Sequence, residues 1–315
     1  MEATRLAVPL VGVHSINHFA LEVPDLQAAK HFFDGFGLDV METGPGLELR
    51  TAGNAHIWTR VLPGSRKRLA YLSFNCFADD LDALTKQINA AGGKVAYPHG
   101  SCANADGFWF EDPDGNLLQV RAGEKTSPSS KPLWPTPILL KTWNGAVGPQ
   151  RDRSIVRPTR LSHVVLFTPN VERAVVFYLQ ALGLKFSDGS KGIVAFMHGR
   201  HGSDHHLVAF VQSTSKGWHH SAWDVPTMDD VGRGKMQMKR AGYADGWGVG
   251  RHVLGSNHFQ YVRDPWGSFW EYSANMDFVP PGVEWCSADH PPEDSLYLWG
   301  PDVPTFFIQN NEAQE

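Results

Sequence analysis

The chain carries an internal repeat, and this repeat constrains its fold more than any other feature. Residues 16–25 read INHFALEVPD, and residues 161–170 read LSHVVLFTPN, which is 161 − 16 = 145 positions later. Residues 111–119 read EDPDGNLLQ, and residues 263–271 read RDPWGSFWE. A repeat of this kind means that one fold unit is used twice. The sequence therefore predicts two similar halves, which suits a chain of 315 residues.

The two copies differ at three aligned positions that matter for metal binding. The C-terminal copy offers two imidazoles and a carboxylate, from His163, His220 and Glu271. The aligned residues of the N-terminal copy form a poor set of metal ligands: His18, Tyr71 and Gln119. We therefore expect a metal site in the C-terminal half alone.

The choice of His220 over its neighbour His219 rests on the repeat. Successive side chains of a strand point to opposite faces, so we expect only one of these two histidines to face inward. Aligning residues 222–224 with residues 73–75 places His220 over Tyr71. His220 is thus the predicted ligand.

The composition narrows the class of protein. A formal net charge of −5 gives no reason to expect a nucleic-acid partner. Hydrophobic residues make up 42% of the chain, which is enough for a substantial core without disulfides. The three cysteines are scattered, as in a cytoplasmic protein with reduced thiols. No apolar stretch approaches the roughly 18 residues of a membrane span, and the N-terminus lacks a signal-like apolar core, so we expect a cytoplasmic protein without a membrane partner.

Each half of the sequence reads as two modules of one strand, one helix and three strands. Alternating apolar residues over 16–23 and 161–168 predict the first strand of each half. Asp25 and Asn170 follow and are typical helix N-caps. A second unit of the same kind follows in each half, which gives four βαβββ modules and an α+β fold.

We expect four segments along the chain. Residues 1–122 form the N-terminal, metal-free repeat domain, and residues 158–274 form the C-terminal, metal-binding catalytic domain. Residues 123–157 between them are rich in Pro, Lys and Ser and read as a linker. Residues 275–315 form a tail that is too aromatic to be free, so we expect it to pack back on the body.

Two histidines and one carboxylate from separate strands are typical of a facial metal triad. Such a site holds Fe(II) and leaves adjacent positions open for substrate and oxygen. A single histidine would not indicate a metal site, because His163 by itself would more often be a histidine of the core. Glu271 lies between Trp270 and Tyr272, which predicts burial, and a buried carboxylate needs a partner. The predicted cofactor is Fe(II), and Mn(II) accepts the same ligands.

The segment before Glu271 carries a more specific pattern. Residues 250–261 read GRHVLGSNHFQY. Within it, His252 lies 271 − 252 = 19 residues before Glu271, and Tyr261 lies 271 − 261 = 10 residues before it. With these spacings the chain resembles the type I extradiol ring-cleaving dioxygenases of the vicinal oxygen chelate superfamily, and the resemblance covers nearly the whole chain.

The resemblance extends to a pair of histidines upstream of the second histidine ligand. The second histidine of this pair is catalytic in the family, and here the pair is His205–His206, with 220 − 206 = 14. The resemblance implies His163, His220 and Glu271 as metal ligands. It also implies four βαβββ modules paired into two barrel-like domains, with a metal only in the C-terminal half.

The family's activity is extradiol, or meta, cleavage of a catechol with O2, which serves the degradation of aromatic compounds. The resemblance therefore implies a catecholic substrate and a ring-opened semialdehyde or keto acid as product. It makes three further residues catalytic: His206, His252 and Tyr261. A histidine that titrates near neutrality can stabilise negative charge on oxygen and later deliver a proton, which we assign to His206. Tyr261 can donate a hydrogen bond to an ionised substrate oxygen, and His252 can hold the hydroxyl edge of the substrate.

One departure from some relatives bears on the substrate. Members that cleave catechols with an acidic side chain place an Arg just before the catalytic histidine, where this chain has residues 246–249 with Trp247. Trp247 cannot pair with a carboxylate, so we expect a neutral or hydrophobic ring substituent. The predicted substrate-binding residues are Trp247, Phe196 and Asn257.

Two other functions stay open at this point. Glyoxalase- or epimerase-like metal-dependent isomerases use the same modules, because fold alone does not fix function. They usually draw ligands from two module pairs and have no use for His206, His252 and Tyr261. A metal-free small-molecule binding protein of the superfamily would not need three metal ligands together. We also expect the chain to form a homo-oligomer.

Overall fold

Each half of the chain builds one large mixed sheet. The computed structural model describes residues 11–98, 106–130 and 154–313. Most of the predicted linker, Cys102 and the two ends of the chain lie outside these residues. Within the described ranges the fold is α+β and rich in sheet, as the sequence predicts.

The described residues of the N-terminal half form an eight-stranded sheet with two α-helices. Its strands are β1 (Ser15–Val23), β2 (Asp39–Thr43), β3 (Gly46–Arg50), β4 (Thr59–Pro63), β5 (Arg68–Cys76), β6 (Lys94–Val95), β7 (Phe108–Glu111) and β8 (Leu117–Ala122). Its helices are α1 (Leu26–Phe36) and α2 (Leu81–Ala90). The strand order is β2-β3-β4-β1-β5-β8-β7-β6.

The described residues of the C-terminal half form a ten-stranded sheet, a two-stranded sheet and two α-helices. The large sheet contains β9 (Arg160–Thr168), β10 (Lys185–Ser190), β11 (Val194–His198), β13 (Val208–Gln212), β14 (Gly217–Asp224), β15 (Gly246–His252), β16 (His258–Arg263), β17 (Phe269–Ala274), β19 (Ala288–Asp289) and β20 (Tyr297–Trp299). The small sheet pairs β12 (Ser203–Asp204) with β18 (Phe278–Val279). The helices are α3 (Val171–Leu182) and α4 (Met228–Arg240).

The inner strands of the two sheets have the same order and the same directions. The second sheet runs β19-β10-β11-β13-β9-β14-β17-β16-β15-β20, so β9, β14 and β17 take the places of β1, β5 and β8. In both sheets the first of these strands is antiparallel to the second, and the second is parallel to the third. The internal repeat of the sequence is therefore a repeat of the fold.

The two predicted helix N-caps match the structure. The Asp25 carboxylate accepts hydrogen bonds from the backbone N–H groups of Gln27 and Ala28, and the Asn170 side chain accepts one from Arg173. These bonds satisfy N–H groups that the first helical turn leaves without partners. Gly37 ends α1 in the left-handed conformation, with φ of 94°, which glycine adopts without steric cost.

The N-terminal half supports the strand that carries Glu271. Helix α1 packs its aromatic side chains on Trp270, and the Phe36 ring stacks on Tyr272 with 4.1 Å between centroids. The Tyr272 hydroxyl also donates a hydrogen bond to the backbone carbonyl of Phe36 at 2.8 Å. Side chains alternate along a strand, so these two contacts hold the face of β17 opposite Glu271.

The C-terminal segment lies against the body of the protein. Strands β19 and β20 pair with β10 and β15 at the two edges of the large sheet. Phe307 packs into an aromatic cluster with Tyr261 and Phe269. Near the end of the segment, Glu312 accepts a hydrogen bond from the buried ammonium group of Lys67 in the N-terminal half, at 2.6 Å.

The described part of the chain has two cysteines and no candidate membrane helix. Cys76 is buried and Cys286 is exposed, and neither is in a disulfide. None of the described helices is long and apolar enough to cross a membrane.

Candidate metal centre and active site

Three buried side chains from three neighbouring strands converge on one point. Nε2 of His163 on β9 lies 3.4 Å from Nε2 of His220 on β14. Oε2 of Glu271 on β17 lies 3.4 Å from each of these nitrogens. First-row divalent ions bind such atoms at about 2.0–2.2 Å, so three donors around one ion lie about 3–4 Å apart. The triangle fits one metal ion held on one side.

Strand register brings these side chains together. His163 pairs with Ala222 across β9 and β14, and Ala222 pairs with Glu271 across β14 and β17. His220 is two residues before Ala222 and therefore lies on the same face. In the other half, Ser73 pairs with His18 and with Gln119 in the same way. The repeat alignment and the sheet register thus agree.

The carboxylate of Glu271 has one oxygen in use and one without a hydrogen-bond partner. Oε1 accepts a hydrogen bond from Nδ2 of Asn257 at 2.9 Å. Oε2 is buried, lacks a hydrogen-bond partner and faces the two histidines. A buried charged oxygen without a partner is costly. A divalent ion at this point would satisfy it, so the residues fit the metal that the facial triad predicts.

Neighbouring groups leave the ligand nitrogens free to bind a metal. Nε2 of His219 lies 2.9 Å from the Phe307 carbonyl, which only accepts, so Nδ1 of a neutral His219 is an acceptor. Nδ1 of His220 lies 2.6 Å from Nδ1 of His219, so Nδ1 of His220 must carry the hydrogen that His219 accepts. The lone pair of His220 is therefore on Nε2, as metal binding requires. Ser162 contacts Nδ1 of His163 at 3.3 Å in a similar position.

The electrostatics of the site favour an ionised carboxylate and neutral imidazoles. Burial lowers the pKa of His220 to about 4 and lowers the pKa of His206 well below its usual range. Burial alone would raise the pKa of Glu271, but its contacts with His163 and His220 outweigh burial and lower it. Metals bind neutral imidazole and deprotonated carboxylate, so these protonation states suit a ligand set.

The aligned residues of the N-terminal half are engaged in hydrogen bonds with each other or with their neighbours. Nε2 of His18 lies 2.9 Å from the Tyr71 hydroxyl. The Gln119 side chain accepts from Ser73 at 2.7 Å and donates to the Asp106 carbonyl at 2.6 Å. Within the described ranges, His163, His220 and Glu271 are the one cluster of His, Cys, Asp and Glu that could hold a metal ion.

A cavity of about 270 Å³ opens beside the three ligands. Two of the predicted ligands and all three predicted catalytic residues line its polar end: His163, His220, His206, His252 and Tyr261. The rest of the wall is largely apolar and includes Val165, Ile193, Phe196, Leu254, Phe307 and Ile308. None of the described residues that line the cavity is Arg, Lys, Asp or Glu. A cavity of this kind fits a small aromatic ring with polar atoms at one end.

His252 and Tyr261 form a hydrogen-bonded pair at the cavity. Nδ1 of His252 lies 2.6 Å from the Leu296 carbonyl and must donate to it, so Nε2 of the neutral ring is an acceptor. The Tyr261 hydroxyl lies 2.9 Å from this Nε2 and donates to it. Burial raises the pKa of Tyr261 well above its usual range, so the hydroxyl stays protonated. The phenol is therefore a hydrogen-bond donor at the edge of the cavity.

The three predicted substrate-binding residues have different places. Phe196 and Asn257 line the cavity, and Asn257 also donates to Glu271. Trp247 is not among the lining residues. Its ring stacks on Tyr261 with 5.6 Å between centroids, and its indole N–H donates to the Pro301 carbonyl at 2.8 Å. Trp247 lies beside Tyr261, because β15 pairs with β16 at the next position of the same sheet. Any effect of Trp247 on the substrate would act through the cavity residues that it contacts, Tyr261, His252 and Phe307.

The sequence pattern of the Glyoxalase/Bleomycin resistance protein/Dioxygenase superfamily matches residues 15–120 and 160–272. These two ranges are the two copies of the fold unit. The chain belongs to this superfamily.

Relatives of this superfamily member match both of its halves. Metapyrocatechase 2 of Cupriavidus necator is 53% identical over 313 residues, which cover 98% of this chain and 95% of the relative. An iron-dependent extradiol dioxygenase of Rhodococcus jostii (strain RHA1) is 24% identical over 270 residues, which cover 77% of this chain and 80% of the relative. The crystal structure of a Mn(II)-bound glyoxalase from Novosphingobium aromaticivorans is 26% identical, with a TM-score of 0.73, and the match covers 97% of this chain and 100% of that chain.

The structure of this superfamily member also adds residues that the sequence did not predict. His219 was expected to face away from the site, yet both His219 and His220 line the cavity. The register of β14 against β9 shifts between Trp218 and His220, and such a bulge breaks the strict alternation of side chains. The only sequence feature that could have indicated a role for His219 at the cavity is its position next to His220. Phe307, from the tail, contacts His219 with 4.9 Å between centroids.

Proposed function

We propose that His163, His220 and Glu271 hold one divalent metal ion and that the adjoining cavity is the site of ring cleavage. The chain is an extradiol dioxygenase that cleaves a substituted catechol with O2, an activity that fits its 53% identity to metapyrocatechase 2 over nearly the full length of both chains. The observation that carries the site assignment is the unpartnered Oε2 of Glu271, which faces two imidazole nitrogens at the polar end of the cavity.

His163, His220 and Glu271 would hold the metal, and the metal would supply Lewis-acid and redox chemistry toward the catechol and O2. His206 lines the cavity, and its ring lies 4.1 Å from that of His163 between centroids. It is therefore close enough to stabilise negative charge on oxygen and to return a proton. Its lowered pKa means that it enters the reaction as a neutral ring and not as one that titrates near neutrality, so negative charge on a nearby oxygen would be needed for it to take up a proton.

The pair formed by His252 and Tyr261 would orient the catechol. The Tyr261 phenol can turn from His252 to a substrate oxygen, since its hydroxyl rotates about the C–O bond. A donor aimed at an ionised oxygen in a site that excludes water stabilises it more than the same donor does in water. His252 is anchored by the Leu296 carbonyl and would hold the second hydroxyl of the substrate.

The lining of the cavity supports a neutral ring substituent. A carboxylated side chain would lose its hydration in a wall that offers no Arg or Lys among the described residues. Alkyl groups would instead contact apolar lining residues such as Ile193 and Leu254. Trp247 does not line the cavity, so the neutral lining, and not Trp247, supports this preference. We propose an alkyl- or aryl-substituted catechol as the substrate.

The enzyme depends on a divalent metal, and we propose Fe(II), with Mn(II) as the alternative. Two imidazoles and a carboxylate suit Fe(II) sites with open positions, and Mn(II) accepts the same donors. The relative from Rhodococcus jostii is iron-dependent, and the glyoxalase from Novosphingobium aromaticivorans binds Mn(II). The homo-oligomer, the cytoplasmic location and the absence of a nucleic-acid partner stay predictions of the sequence.

Anaerobic reconstitution tests this function. The metal-free protein is loaded with Fe(II) or with Mn(II), and oxygen uptake is measured on a panel of substituted catechols. We expect one equivalent of O2 for each catechol and a yellow ring-opened product from cleavage beside the two hydroxyls. A muconate product from cleavage between the hydroxyls would contradict extradiol cleavage. Conversion of a glutathione hemithioacetal without oxygen uptake would favour an isomerase.

A further inference from the structure

His206 contacts a buried chain of polar groups through one of its two ring nitrogens. Nδ1 of His206 lies 3.1 Å from Nδ1 of His205. Nε2 of His205 lies 2.8 Å from Oδ2 of Asp188. His205 is fully buried, and Asp188 is 6% exposed. Buried polar groups are costly without partners, so the hydrogens of this chain must have a defined arrangement.

Asp188 is held as an acceptor of hydrogen bonds. Its Oδ2 accepts from the Trp285 indole N–H at 2.9 Å, and its Oδ1 accepts from the backbone N–H of Ala288 at 2.8 Å. His290 makes a longer contact with Oδ1, at 3.4 Å. Burial alone would raise the pKa of Asp188, but the hydrogen bonds from His205, Trp285 and Ala288 outweigh burial and lower it. The carboxylate is therefore ionised at neutral pH.

The ionised carboxylate fixes the hydrogens of both histidines. Because Asp188 only accepts, Nε2 of His205 must carry a hydrogen. With His205 in its neutral form, that hydrogen is its only N–H, so Nδ1 of His205 is an acceptor and receives the hydrogen of Nδ1 of His206. The lone pair of a neutral His206 is then on Nε2, the nitrogen outside this chain of contacts.

We propose that Asp188 and His205 are positioning residues that hold the hydrogen of His206 on Nδ1 and present its Nε2 to the cavity as a proton acceptor. This inference rests on the proposed function, in which His206 takes and returns a proton. Trp285 and Ala288 belong to the C-terminal segment that follows β17. This segment therefore helps to hold Asp188 and, through Asp188, His206. Asp188, His205 and His206 form this relay, and of the three only His206 lines the cavity.

The variant Asp188→Asn tests the relay with little change in shape. The Asn side-chain oxygen can still accept from the Ala288 N–H, but an amide NH₂ in place of Oδ2 cannot accept from His205. We expect kcat to fall about 10–100-fold, as it does for partners that orient metal-bound histidines. KM should stay within about threefold, and bound metal should not change, because neither ligand nor substrate contacts are removed.

Asp289→Asn is the matched control. Asp289 is exposed, lies on β19 next to Ala288, and accepts from the backbone N–H of Lys191 at 2.7 Å. The Asp289→Asn variant removes a carboxylate from the same edge of the large sheet, but Asp289 does not contact His205. We expect kcat, KM and metal content to match the wild type.

A double-mutant cycle separates positioning from simple support of the fold. If Asp188 acts through His206, then Asp188→Asn should lower kcat by less than about twofold in a His206→Phe background. Losses that multiply in the double variant, or an unchanged kcat in Asp188→Asn alone, would overturn the inference. The melting temperature and metal content of each variant show whether it is folded and loaded.

His205→Gln provides a second route if Asp188→Asn does not fold. It removes the relay between Asp188 and His206, and the same loss of kcat and the same non-additivity with His206→Phe are expected. Multiplied losses or an unchanged kcat would again overturn the inference. Failure of the proposed function is distinguishable, because the metal-loaded wild type would then show no ring cleavage, whereas failure of the relay leaves that activity intact.

Discussion

Replacing Glu271 with Gln is expected to weaken metal binding sharply while leaving the metal-free fold intact. A Gln carbonyl oxygen can keep the hydrogen bond that Asn257 donates to Oε1 at 2.9 Å. The amide nitrogen then takes the place of Oε2, which faces His163 and His220 at 3.4 Å each. An amide nitrogen has no lone pair for a metal, so the site loses one ligand and its negative charge.

The magnitude follows from the loss of a direct ligand. Removing an outer partner of a ligand costs about 10–100-fold in metal affinity, so losing the carboxylate itself should cost at least about 100-fold, or about 2.7 kcal/mol. At about 100 times the wild-type Kd, the metal stabilises the wild type by about 2.7 kcal/mol and the variant by only about 0.4 kcal/mol. Stabilisation by metal should therefore fall by about 2.3 kcal/mol. Without metal, the variant should be as stable as the wild type or more so, because a buried amide costs less than a buried charge.

Calorimetric titration of chelator-treated protein with Mn(II), and anaerobically with Fe(II), measures both Kd values. Thermal unfolding with and without metal measures the stabilisation. Gln119→Glu is the matched control, because it places a carboxylate at the aligned position of the N-terminal half. It should create no metal site, since His18 is paired with Tyr71 there. An unchanged Kd for Glu271→Gln, or a second tight site in Gln119→Glu, would refute the reasoning.

Four further outcomes are expected. His206→Phe should keep metal and catechol binding but turn over about 10²–10⁴-fold more slowly, since it loses an acid–base group, and an unchanged steady-state turnover number would remove it from the mechanism. Tyr261→Phe loses one hydrogen-bond donor and should be milder in the same assay. Methylcatechols or 2,3-dihydroxybiphenyl should have a higher kcat/KM than homoprotocatechuate, and the reverse order in side-by-side kinetics would contradict a neutral cavity. Burial, partly offset by Arg160, raises the pKa of Asp224 to about 6. Protonated Asp224 therefore contributes to the free energy of unfolding below about pH 4, and this contribution is lost as pH rises through about 6. Asp224→Asn should therefore be more stable than the wild type above about pH 6, by about 1–3 kcal/mol, and equally stable below about pH 4 in thermal melts.

The sequence was sufficient to predict the two halves and the row of residues at the centre of the site. Alternation along strands and the repeat together fix which residues face the same side, because both depend only on local order. His18 and Gln119 flank Ser73 in the first sheet as His163 and Glu271 flank Ala222 in the second. The caps of α1 and α3 were equally local and were correctly predicted.

Irregularities of the backbone were not predictable in the same way. The bulge at residues 218–220 turns both His219 and His220 toward the cavity, because an extra residue in one strand interrupts the alternation. Trp247 was predicted to contact the substrate, and the structure places it one strand away from the cavity, against Tyr261. Distance from the cavity depends on the order of the strands in the folded sheet, which the local sequence does not encode.

The sequence by itself determined the repeated fold unit, the helix ends and the three candidate ligands, because periodicity and capping act over a few residues. Only the tertiary structure decided what surrounds them. Asp188 meets Trp285 and Ala288, which are about a hundred residues away along the chain, because β19 pairs with β10. No periodic pattern connects residues so far apart, and the contact exists only once both segments are packed against the same sheet.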